Sequence, residues 1–327
     1  MKIQILIPHY HETAEIIEPL LDSIAIQQQV DFSEVGAVIA YDGADAYTLP
    51  VKEWRKKYPY EIKHIHAKKG GVSATRNAAL DASTADYVMF CDADDMFYNA
   101  CGLWILFREM EIGFDSLVSV FIEESRHPET KEVVYINHEM DSTFVHGKVH
   151  KREYLYRQKI RFNDNLTIHE DSFFNILCQN LSKNVKYCQS PFYLWKWRDE
   201  SVCRHDPKYI LKTYRNMLDS NDALIDEFLS RGMQDKVMFF TTFMIFDAYY
   251  TMNKPEWIDQ ENQEYRDSTE KHFSSWFKKH KDIWESVPTQ DRMVISNQVR
   301  SRSIMEGMRM EAVTIDQWLR HIETLTT

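Results

Sequence analysis

At 327 residues and 44% apolar composition the chain can bury a large core, and it exceeds the length at which one core usually stops growing, so a larger and a smaller domain are expected. A formal charge of −11 excludes nonspecific coating of nucleic acid, which needs a broad field of Lys and Arg to displace counterions, though a local basic groove stays open. Five cysteines, Cys91, Cys101, Cys178, Cys188 and Cys203, are odd in number and lack close metal-ligand pairs, which fits core thiols in a reducing compartment better than disulfides or zinc.

The opening apolar run is too short for a signal peptide and is broken by Gln4, and no later stretch reaches the length of a membrane span. A soluble, cytoplasmic protein is expected. Short apolar runs at 3–7, 35–40, 62–65 and 87–90 read as buried strands separated by crossover helices, which implies a mainly parallel, doubly wound α/β sheet. Between the first two runs Ile16, Ile17, Leu20, Leu21 and Ile24 recur at helical spacing after Thr13, an acceptable cap, and 73–82 forms a compact Ala-rich helix. Strands are expected at 114–122, 133–136 and 193–197, with a helix over 170–179. Beyond Asp206 the strand signals stop, and 209–229, 237–252 and 257–279 are helical in pattern, so the predicted domains are 1–205 and a helical 206–327 for acceptor binding or oligomerisation. Trp257, Trp276, Trp284 and Trp318 in that helical part are read as core.

The strongest chemical signal is the strand Tyr87-Val-Met-Phe running into Asp92, Asp94 and Asp95. Open α/β sheets bind ligands at the carboxyl ends of their strands, and carboxylates crowded there repel unless a hard cation such as Mg²⁺ or Mn²⁺ neutralises them and recruits phosphate oxygens. An isolated Asp-x-Asp is more often a solvated turn; its place after the fourth strand favours the metal. Asp42, in Tyr41-Asp42-Gly43, ends the second strand and could accept from the imide N–H of a pyrimidine. Lys69, Gly70, Gly71 and Arg76 follow the third, offering close backbone approach and positive charge. A second acidic pair, Glu170 and Asp171, starts a later helix, where the dipole alone would favour it, yet it also provides a carboxylate remote from the metal for general-base work.

Together these motifs resemble family 2 glycosyltransferases over residues 1–205, in the order that family shows. Pro8-His-Tyr10-His11 is similar to the opening Pro-x-Tyr-Asn, with His11 in place of Asn. Asp42-Gly-Ala-Asp45 resembles the uracil-binding Asp-Gly-Ser-x-Asp. Lys69 to Asn77 is similar to Asn-x-Gly-x-Ser-x-Ala-Arg-Asn, with Lys69 and Thr75 departing, and His146-Gly147-Lys148 and Arg161-Phe162 match the lead-in to the x-Glu-Asp of Glu170 and Asp171. The resemblance implies a GT-A fold, a Rossmann-like, mainly parallel sheet flanked by helices. It implies inverting transfer from a nucleotide-sugar donor, a UDP-sugar first, with Mn²⁺ or Mg²⁺ on Asp94 and Asp92 and with Asp171 as base. Pro8, Tyr10, Asp42, Lys69, Gly71 and Arg76 are the donor-binding candidates. His205 is a further candidate metal ligand, and Trp195 or Trp197 lines the sugar pocket.

The expected acceptor is a glycan or a wall or capsular polymer, with a modified DNA base as an alternative. Lys148, Lys151, Arg152, Arg157, Lys159 and Arg161 against the single acid Glu153 form either a groove for a polyanion or a solvated face. A nucleotidyltransferase would need a Gly-rich loop behind the first strand, and Pro8 to Glu12 is not one. An inactive nucleotide-sugar-binding scaffold is the non-enzymatic alternative.

Overall fold

The computed structural model describes residues 1–43, 48–198, 208–254, 257, 262–305 and 314–325. The chain divides into two compact units, Met1–Ser201 and Val202–Thr327.

In the first unit, the central strand β1 (Ile3–His9) is buried along its whole length. Each fully buried Ile there contributes about 2 kcal/mol through removal of apolar surface from water. Gln4, the polar break in this run, accepts from Ser83 Oγ at 2.7 Å, Thr84 N at 2.8 Å and Ala85 N at 3.1 Å, so it satisfies the turn that leads into a neighbouring strand. Helix α1 (Ala14–Ala25) buries Ile17, Leu20, Leu21 and Ile24 against the sheet, as their spacing predicts. Thr13 occupies its N-cap position, but its side chain makes no cap hydrogen bond.

The βα alternation continues through β2 (Val35–Asp42), α2 (Val51–Lys57), β3 (Glu61–Ala67), α3 (Gly71–Ala82) and β4 (Tyr87–Phe90). These are followed by β5 (Met96–Phe97), α4 (Gly102–Ile112), β6 (Ser116–Arg126), β7 (Val133–His138), β8 (Lys148–Lys151), α5 (Arg152–Gln158), α6 (Glu170–Asn180) and β9 (Val185–Trp195). The nine-stranded sheet runs β3-β2-β1-β4-β8-β6-β9-β5, with β7 paired to β6. Strands β1 to β4 are mutually parallel, β6 and β9 are parallel, and β8 is antiparallel to both of its neighbours.

Strand β9 begins at Val185 and ends at Trp195, earlier at both ends than the expected 193–197. Its first half is too polar to announce itself; pairing of Val185 to Cys188 with the buried Ser116 to Ser119 of β6 extends it. Cys91, Cys178 and Cys188 are buried, whereas Cys101 is exposed, which corrects the expectation of core thiols throughout; Cys203 lies outside the described residues.

The second unit is helical among its described residues: α7 (Tyr209–Ser230), α8 (Gln234–Met252), α9 (Gln263–Ser286), α10 (Thr289–Met305) and α11 (Ile315–Thr324). Helix α9 begins later than the expected 257 and runs on to Ser286. Trp257, Trp276, Trp284 and Trp318 are all buried, as expected of core. Trp318 stacks on Phe273 at 5.3 Å, and a capping box between Thr314 and Gln317 opens α11. No helix among the described residues is long and apolar enough to cross a membrane.

Candidate active site

Parallel strands β1 and β2 pair as far as His9 and Tyr41, but β1 and β4 pair only as far as Leu6 and Phe90. Beyond Leu6 the sheet opens, at the point where strand order reverses, which is where doubly wound sheets take their ligands. Pro8 is buried in this last part of β1, past the end of the β4 ladder, so its missing N–H costs no bond on that side. Tyr10 follows at 45% exposure, its ring nearly parallel to that of Tyr41 at 6.4 Å, presenting a flat aromatic surface.

Asp42, at the end of β2, accepts from the backbone N–H groups of Gly70 at 2.9 Å and Gly71 at 3.1 Å. Its carboxylate thereby caps the first turn of α3 and ties two strand-end loops together. Gly71 has φ +80°, the left-handed region in which glycine lacks the penalty of other residues. Lys69, just before, is exposed.

Arg76, on the second turn of α3, is buried and reaches in two directions. Nη2 lies 2.9 Å from Asp92 Oδ1, and Nη1 lies 2.8 Å from Glu170 Oε1. Burial opposes the charge on this guanidinium, but Asp92, Glu170 and Asp171 together hold its pKa above the usual arginine value. Phe162 packs under it at 5.3 Å and stacks face to face on Phe174 of α6 at 4.0 Å, which seats the start of that helix against α3.

Glu170 and Asp171 follow His169, whose φ of +64° places a non-glycine residue in the left-handed region directly before the acidic pair. Burial, then the adjacent Glu170 charge, pushes the Asp171 carboxyl up to about 7, against the pull of Arg76. That value suits a group exchanging protons near neutrality.

On the opposite side of Arg76, the Asp92 and Asp94 side chains are 32% and 30% exposed. Asp94 accepts from Arg198 Nη1 at 2.8 Å. Asp95 is buried; Tyr193 donates its hydroxyl to Oδ2 and the Lys196 N–H bonds Oδ1 at 3.0 Å. Asp92, Asp95 and His146 bring one potential ligand atom each within 4.8 Å of one another. Both oxygens of Asp95 are already hydrogen-bonded and the group is closed to solvent, so the half-exposed Asp92 and Asp94 are the better fit to an arriving cation. An all-oxygen donor set suits Mg²⁺ or Mn²⁺, and four carboxyl groups here, Asp92, Asp94, Glu170 and Asp171, share the guanidinium groups of Arg76 and Arg198. His205 lies outside the described residues.

A family model, Glycosyl transferase family 2, matches residues 4–180, more than half of the chain. The chain belongs to glycosyl transferase family 2. Among relatives of this glycosyltransferase, EpsJ of Bacillus subtilis, an uncharacterized glycosyltransferase, is 22% identical over 73% of this chain and 69% of its own length. The poly(ribitol-phosphate) beta-N-acetylglucosaminyltransferase TarS of Staphylococcus aureus is 25% identical over 61% of this chain, a match spanning 36% of TarS. The crystal structure of S. aureus TarS 1–349 superposes with a TM-score of 0.64 at 16% identity, covering 99% of this chain and 90% of that one. The likeness bears out the GT-A fold, with a helical region after it.

Sequence reasoning about this glycosyltransferase missed the surroundings of Tyr193 and His146, whose ring nitrogen Nδ1 lies 3.0 Å from the Tyr193 hydroxyl. Only the motif position of His146 hinted at a role. The basic segment resolves mostly into local pairs: Lys148 is buried, Lys151 meets Glu153 at 3.6 Å, Arg157 meets Asp115 at 3.6 Å, and Arg161 is bidentate on Asp81. These pairs favour the solvated face over a groove for a polyanion. Two cavities of about 390 and 410 Å³ lie at the opposite, amino-terminal end of the strands, lined in part by Lys63 and Thr84 and by Thr84 and Arg152, away from the acids. Trp197 lies beyond the end of β9 and packs its ring on Arg126 at 5.5 Å.

Proposed function

We propose that this glycosyltransferase moves a sugar from a UDP-sugar to a hydroxyl of a wall or capsular polymer, by a single displacement that inverts the anomeric carbon. The observation that carries this function is the Arg76 bridge. It links the half-exposed Asp92, on the donor side, to the helix start that holds Asp171, on the acceptor side.

Tyr10 stacks on the base of the donor, and Asp42 accepts from that base with lone pairs that the Gly70 and Gly71 amides leave over. Pro8 shapes the opening of the crevice, and Lys69 meets the diphosphate from solvent. Arg76 is already engaged at both ends, so it acts on the donor through Asp92. A divalent cation held by Asp92 and Asp94 supplies positive charge that stabilises the departing nucleoside diphosphate. Asp171 takes the proton from the attacking hydroxyl, and Glu170 fixes the helix start through Arg76.

The choice of donor and acceptor draws on relatives. TarS has been crystallised with UDP and with UDP-GlcNAc, and a Pyrobaculum calidifontis mannosyltransferase with GDP-Man and Mn²⁺. TarS acts on poly(ribitol-phosphate), and GgaB of B. subtilis, 24% identical over 74% of this chain and 28% of its own length, serves minor teichoic acid biosynthesis.

The test is transfer from UDP-GlcNAc with Mn²⁺ to poly(ribitol-phosphate) and to capsular polysaccharide. The wild type should release UDP, and Asp171→Asn should bind UDP-GlcNAc with unchanged affinity and release none. A wild-type rate in Asp171→Asn removes the base assignment, and failure of every UDP-, GDP- and TDP-sugar to bind removes the function.

A further inference from the structure

Three stretches of chain far apart in sequence converge on one buried phenol. Tyr193, on β9, is fully buried, and its hydroxyl donates to Asp95 Oδ2. The same oxygen accepts from the Asp92 backbone N–H at 3.3 Å and lies 3.0 Å from His146 Nδ1. A phenol has one proton; with it on Asp95, the bond to His146 requires the tautomer in which Nδ1 carries hydrogen and donates. The His146 ring is held between Phe144, parallel at 5.4 Å, and Tyr193 at 4.8 Å. Gly147 follows at φ +65°, where a Cβ would approach Ser119 Oγ to 2.6 Å, so a side chain in the turn that delivers His146 would be strained and would displace Ser119.

A phenol contributes packing through its ring. Its hydroxyl adds only the cost of desolvation unless it makes bonds that matter. All of these bonds go to the loop bearing the acids or to the residue beside it. Cys91 N–H bonds Leu6 O at 3.0 Å, Asp92 N–H bonds the phenol, and Asp95 is held at both oxygens. Between these anchors the Asp92 and Asp94 side chains stay partly exposed, each with one oxygen on an arginine.

We propose that Tyr193, with Asp95 and His146 as its partners, is a positioning residue for the metal-binding carboxylates. It fixes the 91–95 backbone so that Asp92 and Asp94 are ready for a divalent cation before it arrives. Drawing two carboxylates together around an ion costs ordering and repulsion, and a loop already fixed from behind has met that cost on folding. This inference rests on Asp92 and Asp94 being the metal ligands of the proposed function.

Tyr193→Phe keeps the ring and removes the bonds. With UDP present, Mn²⁺ affinity read by electron paramagnetic resonance should fall about tenfold or more, the usual effect of removing a group behind a metal ligand. UDP affinity without metal should be unchanged. His146→Phe, which keeps the stacking, should lose less, and the double variant should lose no more than Tyr193→Phe alone. Leu106→Ala, in the same core, serves as the control for general destabilisation: it should lower the melting temperature and leave Mn²⁺ affinity intact. Unchanged Mn²⁺ affinity in Tyr193→Phe overturns the inference while leaving the proposed function standing. Nitrogen modulation in the pulsed spectrum of bound Mn²⁺ that vanishes in His146→Phe also overturns it, by making His146 a ligand. Absence of Mn²⁺ binding in the wild type overturns it together with the metal assignment.

Discussion

Arg76 Nη1 lies 2.8 Å from Glu170 Oε1, across a separation of 94 residues in sequence. Because the same buried guanidinium also holds Asp92, the acid at the end of β4 and the start of α6 share one fixed charge.

Arg76→Met should therefore destabilise the α/β unit by about 3 kcal/mol, since it strands carboxylates that the bridge neutralises. Urea denaturation measures this. Arg76→Lys should recover little of the loss, because a single ammonium does not span two acceptors as the planar fork does. An unchanged midpoint in Arg76→Met would show that the bridge carries no net energy.

With Asp171 as the proposed base, activity and stability should run in opposite directions with pH. Burial pushes its carboxyl up from the usual 3.8 to about 7, so the ionised base, and kcat/KM with it, should rise through about pH 7 and level off above. The folded chain holds this proton more tightly than the unfolded chain. Its contribution to stability is fully present below the unfolded pKa and is lost as pH rises through about 7. Asp171→Asn should accordingly melt with wild type at pH 4 and above wild type at pH 8, while transferring no sugar. Equal melting temperatures at pH 8 would show that the carboxylate is not strained by burial.

Asp92→Asn and Asp94→Asn should each weaken Mn²⁺ binding at least tenfold, read by the metal titration used for Tyr193→Phe. In Asp94→Asn the Arg198 guanidinium loses its 2.8 Å carboxylate partner as well. Chelation with EDTA should abolish the rise in melting temperature that Mn²⁺ and UDP produce together. Retention of that rise in either variant would move the metal elsewhere.

Gly71→Ala isolates backbone strain. Nothing lies within 4 Å of the Cβ it would introduce, so its cost comes from φ +80° alone, about 1 kcal/mol. Relief of that strain would shift the Gly70 and Gly71 amides away from Asp42, and UDP affinity by calorimetry should fall several-fold. Undiminished affinity would detach Asp42 from base recognition.

Strands β1, β2 and β4 were legible as compact apolar runs between helical patterns, and β3, with Lys63 and His64 inside it, by its place in that alternation; the acids at the end of β4 could be placed by that alone. Two-residue β5 and four-residue β8 were not, being too short for any period to appear; β8 also begins with a buried Lys148 that reads as a surface residue. Asp171 was marked by its motif, but the destination of Arg76 was not, since a side chain's partner far along the chain leaves no local pattern. The same holds for Tyr193, which reads as an ordinary strand residue until the fold brings Asp95 and His146 against it.

Asn77 of α3 gives its carboxamide to both backbone groups of Phe162, donating to the carbonyl at 2.9 Å and accepting from the N–H at 3.0 Å. One amide thus does what a neighbouring strand would do, at a point where no strand runs. The stretch that leads to Asp171 is thus fastened to α3 by side chains, Asn77 on Phe162, Ser73 on Leu166, Arg161 on Asp81 and Arg76 on Glu170, so its loosening is separable from that of the sheet. Asn77→Ala should speed deuterium uptake at the Phe162 amide and leave that of β1 unchanged.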